Sequence, residues 1–175
     1  FFVSSGIFFG NNPITRSLIK LVYGYSNPKL TKVVDGITYK SPVLLSAGFD
    51  YNAKLFNILP CIGLGGEEAG SVTARPCAGN PKPRLTRLPL SKSILVNKGL
   101  RNDGVEAIIA RLKNVRRQKD FVLGISIART NDIKCSSVEE GIADYVYSFK
   151  RLNEENIGDY YTINISCPNA FGGEA

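Results

Sequence analysis

The 175-residue chain contains no histidine, no methionine and no tryptophan. Without histidine it cannot assemble a Ser-His or Cys-His catalytic pair, so proton transfer falls to Cys, Tyr, Lys, Asp or Glu. A zinc site also loses its usual nitrogen ligand. The four cysteines, Cys61, Cys77, Cys135 and Cys167, lie far apart with no CxxC pair. Neither a metal site nor a disulfide framework is expected from them, and a reducing compartment is. No apolar run approaches the ~20 residues of a membrane span. The chain opens on Phe1-Phe2 rather than Met, which suggests processing or a piece of a longer protein.

What is present fits one globular core, with 43% hydrophobic residues and a net charge of +7. That charge favours anionic ligands or an anionic surface without naming either. The densest basic cluster, Arg111, Lys113, Arg116 and Arg117, reads as the solvated face of a helix, so no nucleic-acid partner is expected. The opening FFVSSGIFFG is short and apolar without a basic flank, which leaves the stump of a removed segment or a surface anchor. NPITRSLIKLVYGY predicts an amphipathic helix capped near Asn12 with Pro13 at its first position. Such a helix either covers the body of the protein or lies on a membrane surface.

Further on, Asp35-Gly36 between β-formers predicts a hairpin over 33–39. Val43 to Ser46 reads as a buried strand, Ala53 to Leu59 as a short helix stopped by Pro60, and Glu67 to Thr73 as a strand. Residues 74–90 carry four prolines and predict a long excursion. Val105, Ile108, Ile109, Leu112 and Val115 repeat at helical spacing. Phe121 to Ile127 reads as a strand. Ser137 and Glu140 form a capping-box signal opening a helix with a stripe of Ile142, Tyr145, Val146, Phe149 and Leu152. Tyr160 to Ile165 closes the series as a strand. Alternating strands and helices predict a parallel α/β sheet, either open and doubly wound or half of an eight-stranded barrel.

In both architectures chemistry gathers at the carboxyl ends of strands. Ala47-Gly48, Ser71, Ser126 and the segment Asn164-Ile165-Ser166-Cys167-Pro168-Asn169 all fall there. Glycine at 48 permits close approach of a flat or phosphate-bearing ligand. The hydroxyls of Ser71 and Ser126 suit a heterocycle edge or local capping. Asn164 and Asn169 each present a donor and an acceptor, the complement of an imide. A thiol between them takes a proton near neutral pH without the auxiliary base a serine needs. A buried inert cysteine is the alternative at Cys167.

Four stretches, SPVLLSAGFDYNAKL, GSVTARPCAGNPKPRLTRLP, GLRNDGVEAI and YTINISCPN, together resemble the dihydroorotate dehydrogenase family, in order from about Thr38 to Asn169. The resemblance implies a TIM (β/α)8 barrel holding FMN and oxidising dihydroorotate to orotate in pyrimidine (UMP) biosynthesis. On that reading residues 1–32 are an N-terminal extension, and 33–175 the first half of the barrel. Cys167 takes the proton while a hydride passes to the flavin. Ala47, Gly48, Ser71, Ser126 and Asn164 line FMN, and Asn97, Lys98, Gly99, Leu100, Asn164 and Asn169 meet the substrate.

The GNPKPRL excursion and the residues before the barrel look like the quinone-linked, membrane-associated branch, whose base is Ser. The Cys looks like the soluble branch. The layout spans more residues, so a quinone acceptor is expected, with a cytoplasmic location or a peripheral one on the inner face of a plasma or mitochondrial membrane. Four positions depart from the family pattern: Tyr51 stands where a Lys is usual, Val96 and Lys98 replace the Asn and Met of the substrate loop, and Ser126 replaces an Asn. Lys98 or Lys54 is expected to meet the substrate carboxylate instead. An FMN barrel acting on another dihydropyrimidine, or a non-catalytic barrel fragment, are the alternatives.

Overall fold

A computed structural model of the chain describes residues 2–115 and 117–170. Its centre is a parallel sheet of four strands, β3 (Leu44–Leu45), β4 (Gly66–Val72), β7 (Val122–Ile127) and β8 (Tyr160–Ile163), hydrogen-bonded in that order. Spatial order follows chain order, as successive right-handed crossovers demand. Two antiparallel hairpins flank it, β1 (Lys32–Val34) with β2 (Ile37–Tyr39), and β5 (Leu85–Leu88) with β6 (Ser93–Val96). The helices are α1 (Phe2–Gly10), α2 (Pro13–Tyr23), α3 (Val105–Lys113) and α4 (Val138–Glu154).

Several local signals operate as their chemistry requires. Asp35 and Gly36 both adopt positive φ at the tip of the first hairpin. Asn12 caps α2 by accepting from the amides of Ile14 and Thr15, with Pro13 next in line. Ser137 and Glu140 form both arms of a capping box at α4. The stripe on α3 buries Val105, Ile108, Ile109 and Leu112 against Ala69, Val72, Leu123 and Ile125 of the sheet. Each such side chain contributes about 1.5–3 kcal/mol when fully buried.

Other expectations are corrected. The helix expected over Ala53–Leu59 does not form: Ala53 sits at φ +51, turns follow, and a 3-10 turn spans Leu59–Ile62. Pro60 opens that turn instead of stopping a helix, because its missing N–H costs nothing in a first turn. The strand at Val43–Ser46 shrinks to Leu44–Leu45, half-buried at the sheet edge. The excursion is partly ordered as the β5–β6 hairpin, with its prolines outside the paired residues. The opening stretch is the helix α1, packed through Gly6 and Gly10 against Leu55 and Ile58. Of the basic cluster, Arg111 bonds Asp103, Lys113 pairs with Glu155 and Arg117 with Asp159, while Arg116 lies outside the described residues.

The helix α4 also turns differently from its apolar stripe. It buries Gly141, Asp144, Ser148 and Leu152, while Ile142 is 57% exposed and Val146 and Phe149 are also exposed. The reason is Asp144, which accepts from the Thr130 amide and hydroxyl at 2.8 Å each and from the Ala74 amide at 3.4 Å. Arg75 reaches the same carboxylate at 3.4 Å, together with Asp132 at 3.0 Å and the Cys135 thiol at 3.1 Å. This network, centred on the buried Asp144 carboxylate, outweighs the apolar stripe in setting the rotation of the helix. It clamps α4 to the segments leaving β4 and β7.

Candidate functional site

Strand alternation sets two faces on the sheet. Register pairs Glu67 with Leu123 and Ala69 with Ile125, facing the helices, whereas Glu68, Gly124 and Tyr160 share the opposite face. Ser126 continues that second face, next to Thr162 on β8. A register shift between Ala69 and Val72 then redirects the end of β4. Gly70 lies there at φ +120, and a Cβ on it would stand 2.5 Å from the Ser126 carbonyl oxygen. Only glycine permits that approach.

The approach has a consequence for the side chains. Ser71 Oγ and Ser126 Oγ lie 2.8 Å apart, and Asn164 Nδ2 donates to Ser71 Oγ at 2.8 Å. Three polar groups from the carboxyl ends of three adjacent strands thus form one hydrogen-bonded row. The Asn164 oxygen accepts from the Ser166 amide and hydroxyl, at 3.1 and 3.2 Å, which fixes the turn beyond β8. Ala47 and Gly48 stand beside the row, since the Gly48 amide donates to the Gly70 carbonyl at 2.8 Å. Gly48 has φ +95 and open space where a Cβ would lie.

A second cluster gathers the substrate-loop residues. Asn80 donates from its amide to Asn97 Oδ1 at 2.6 Å and to the Asn169 carbonyl at 2.9 Å. Asn169 Nδ2 donates to the Val96 carbonyl at 3.1 Å, and Asn131 Nδ2 to Asn80 Oδ1 and the Gly99 carbonyl, both at 3.1 Å. Gly99 has φ +64, and a Cβ there would meet Asn80 Oδ1 at 2.4 Å. Asn97, Gly99 and Asn169 therefore meet through two residues that sequence reasoning missed, Asn80 and Asn131. Asn80 lies inside the GNPKPRL stretch, and its pairing across 17 residues to Asn97 has no periodic signature.

Cys167 is half-buried and lines a cavity of about 340 Å3 with Leu100, Arg129, Tyr145 and Asn164. Tyr145 donates from its hydroxyl to the Asn164 carbonyl at 2.7 Å, tying α4 to the loop that carries the thiol. Burial raises the Tyr145 phenol above its ordinary range. Asn164, which lines the same cavity, joins it to the Ser71–Ser126–Asn164 row at the sheet end.

The two candidate lysines separate. Lys54 pairs with Asp103 at 3.3 Å, and Arg111 holds the same carboxylate at 2.9 Å. Those cations keep the Asp103 carboxyl below its usual range, against the raising effect of its partial burial. Lys98 instead donates to the Tyr51 hydroxyl and has no carboxylate partner among the described residues. Among the described residues no group of three or more His, Cys, Asp or Glu is arranged to hold a metal. No described helix is long and apolar enough to cross a membrane.

Comparison with known proteins places these features in one family. A model of dihydroorotate dehydrogenase matches residues 29–175. The quinone-type dihydroorotate dehydrogenase of Synechococcus sp. (strain JA-3-3Ab) is 37% identical over 156 residues, 89% of this chain and 40% of the relative. That of Gloeobacter violaceus is 37% identical over 151 residues, 86% of this chain and 41% of the relative. Among solved structures, the Eimeria tenella enzyme in complex with ferulenol superimposes with a TM-score of 0.72 at 29% identity, covering 92% of this chain and 45% of that one. Its ligand-free form gives 0.70 at 28% identity. The chain thus spans about 40% of the length of the curated relatives it matches, and its four parallel strands form part of the (β/α)8 barrel. With the family model matched over most of its length, the chain belongs to the dihydroorotate dehydrogenase family.

Proposed function

We propose that the protein takes part in FMN-dependent oxidation of dihydroorotate to orotate, the step that supplies the pyrimidine ring of UMP. The observation that carries this reading is the row Asn164–Ser71–Ser126 across three strand ends, with a thiol three residues beyond Asn164. The row and Gly48 fit FMN: they offer donors and acceptors to a flat heterocycle edge, beside a backbone with no side chain above it. Bound FMN supplies a two-electron hydride acceptor.

The chain's own residues do the rest. Ala47, Gly48, Ser71, Ser126 and Asn164 orient the flavin, and Asn97, Lys98, Gly99, Leu100 and Asn169 hold the substrate against it. The Cys167 thiolate takes one proton from dihydroorotate as the hydride leaves, and orotate keeps the new double bond. The asparagine cluster holds the β6 end and the Cys167 loop together, so substrate groups meet a preformed set of amides. The quinone-type names of the relatives support a quinone as final acceptor. The exposed apolar residues Leu18, Leu21 and Val22 on α2 support peripheral contact with a membrane.

The test is reduction of the flavin in the full-length protein. Dihydroorotate should bleach the flavin spectrum, and quinone should restore it faster than fumarate or NAD. Cys167→Ala should slow bleaching by about 10²–10⁴-fold, the range of a lost general base, with FMN still bound. Fast bleaching in that variant refutes the role of the thiol. Bleaching by dihydrouracil but not by dihydroorotate would favour another dihydropyrimidine as substrate, a reading that the departures at Tyr51 and Val96 keep open.

A further inference from the structure

At the amino ends of the strands, remote from the Ser71–Ser126–Asn164 row, lies a cavity of about 790 Å3. It sits between α2 and the residues that lead into the sheet, Ser41 before β3, Leu64 before β4 and Phe121 before β7. Strand β4 runs seven residues from this end toward the row, about 20 Å at ~3.3 Å per residue. The charged lining is one-sided: Arg16, Lys20, Lys40, Arg117 and Lys119 stand against Asp120 alone. Asp120 pairs with Lys40, and Asp159 pairs with Arg117. Arg16, Lys20 and Lys119 bring three further positive charges with which no described carboxylate pairs. Two come from one face of α2, four residues apart, and one from the loop before β7.

The α2 cations are not merely a solvated face. Arg16 is half-buried, and its Nε is buried without a hydrogen-bond partner among the described residues, which folded proteins rarely leave unanswered. Arg16 and Lys20 also border Cys61 in an adjoining hollow. Burial pushes that thiol up, and the two charges draw it back toward its ordinary range. Pro60 and Leu64 give the larger cavity an apolar wall, and Tyr25, 64% exposed, gives it a flat one. The volume exceeds what a lone phosphate group fills and lies among pockets for small organic ligands, ~300–1,000 Å3. A phosphate ester matches this set, with a group of nearly two negative charges and three free oxygens for three cations.

We propose that this cavity binds a phosphate ester, its phosphate held by Arg16, Lys20 and Lys119 and its organic part against Tyr25, Pro60 and Leu64. A soluble ester and a lipid headgroup are two sources of the same chemistry. The site shares no residue with the proposed flavin and substrate groups, and it lies at the opposite end of the strands from them.

Calorimetric titration of the full-length protein tests it, with FMN and orotate present in excess so that their own sites are filled. Phenyl phosphate should bind, and more tightly than inorganic phosphate. Arg16→Gln and Lys20→Gln should each weaken phenyl phosphate by about tenfold or more, the size of a lost hydrogen bond to a charged group. Lys119→Gln, on an exposed loop, should weaken it by about threefold. Arg16→Lys keeps the charge and should retain most of the affinity. Lys150→Gln, which removes an exposed charge on α4, should change binding less than about twofold. Binding to phosphatidylglycerol vesicles separates the sources: a loss in the same variants assigns a lipid headgroup, and no change assigns a soluble ester. The inference is wrong if phenyl phosphate does not bind the unaltered protein or binds no better than inorganic phosphate. Equal losses in Arg16→Gln and Lys150→Gln would also overturn it. Flavin bleaching reports separately on the proposed reaction, so the two readings fail independently.

Discussion

Glu67 and Glu68 are adjacent on β4 and face opposite sides of the same sheet. Glu67 is 0% exposed, shares its face with Leu123 and Ile125, and neither carboxyl oxygen has a hydrogen-bond partner. Glu68 is half-buried and accepts from the Tyr160 hydroxyl at 3.3 Å and the Thr162 hydroxyl at 3.1 Å. Desolvation, with a smaller contribution from the Asp50 charge, pushes the Glu67 carboxyl up to about 9, so it stays protonated at neutral pH. One residue of strand alternation thus separates an acid that must remain neutral from one with polar company. The helix-side face demands apolar surface, and the other face tolerates a polar ladder.

The sharpest way to break that contrast is to force a charge onto the apolar face. Glu67→Lys should cost about 3–5 kcal/mol, the range for an uncompensated buried charge, measured by urea denaturation. The unaltered protein offers a gentler version. With its folded-state value raised, Glu67 holds a proton that the unfolded chain has released, so stability falls as pH rises from about 4.5 toward about 9. The slope from this group is about 1.4 kcal/mol per pH unit, and Glu67→Gln should remove it. An unchanged alkaline slope in that variant would show that the carboxyl is not the cause.

The opposite face gives smaller effects. Gly124→Ala would place a Cβ 2.2 Å from the Tyr160 ring, and the forced shift should cost about 1–3 kcal/mol. Glu68→Ala should cost about 1 kcal/mol or less, because its two partners reach water when it is gone. A loss for Glu68→Ala as large as that for Glu67→Lys would erase the distinction between the faces.

Much of the scaffold was legible because its signals are local. The Asp35-Gly36 turn, the Asn12 and Ser137 caps and the α3 stripe each act within a few residues, and each appears where its chemistry places it. The Ala53–Leu59 helix failed because Asp50 captures the Leu55 amide at 2.5 Å and the Asn52 amide at 3.3 Å, which winds the chain into turns. The rotation of α4 was illegible because Asp144 answers to Thr130 and Arg75, distant in sequence. In the candidate site, the grouping of Ser71, Ser126 and Asn164 followed from strand ends meeting at one edge. The asparagine cluster did not, since its bonds run between loops whose separation no pattern encodes. Buried Glu67 was hidden for another reason: beside Glu68 it reads as one of two solvent-facing charges.

The bonds from Asn80 and Val96 to Asn169 make the β5–β6 hairpin and the loop bearing Cys167 a single mechanical linkage. The other end of the segment between Asn164 and Asn169 is pinned to Ser71 on β4 and to Tyr145 on α4. The placement of the thiol loop is therefore fixed jointly by a hairpin, a strand end and a helix.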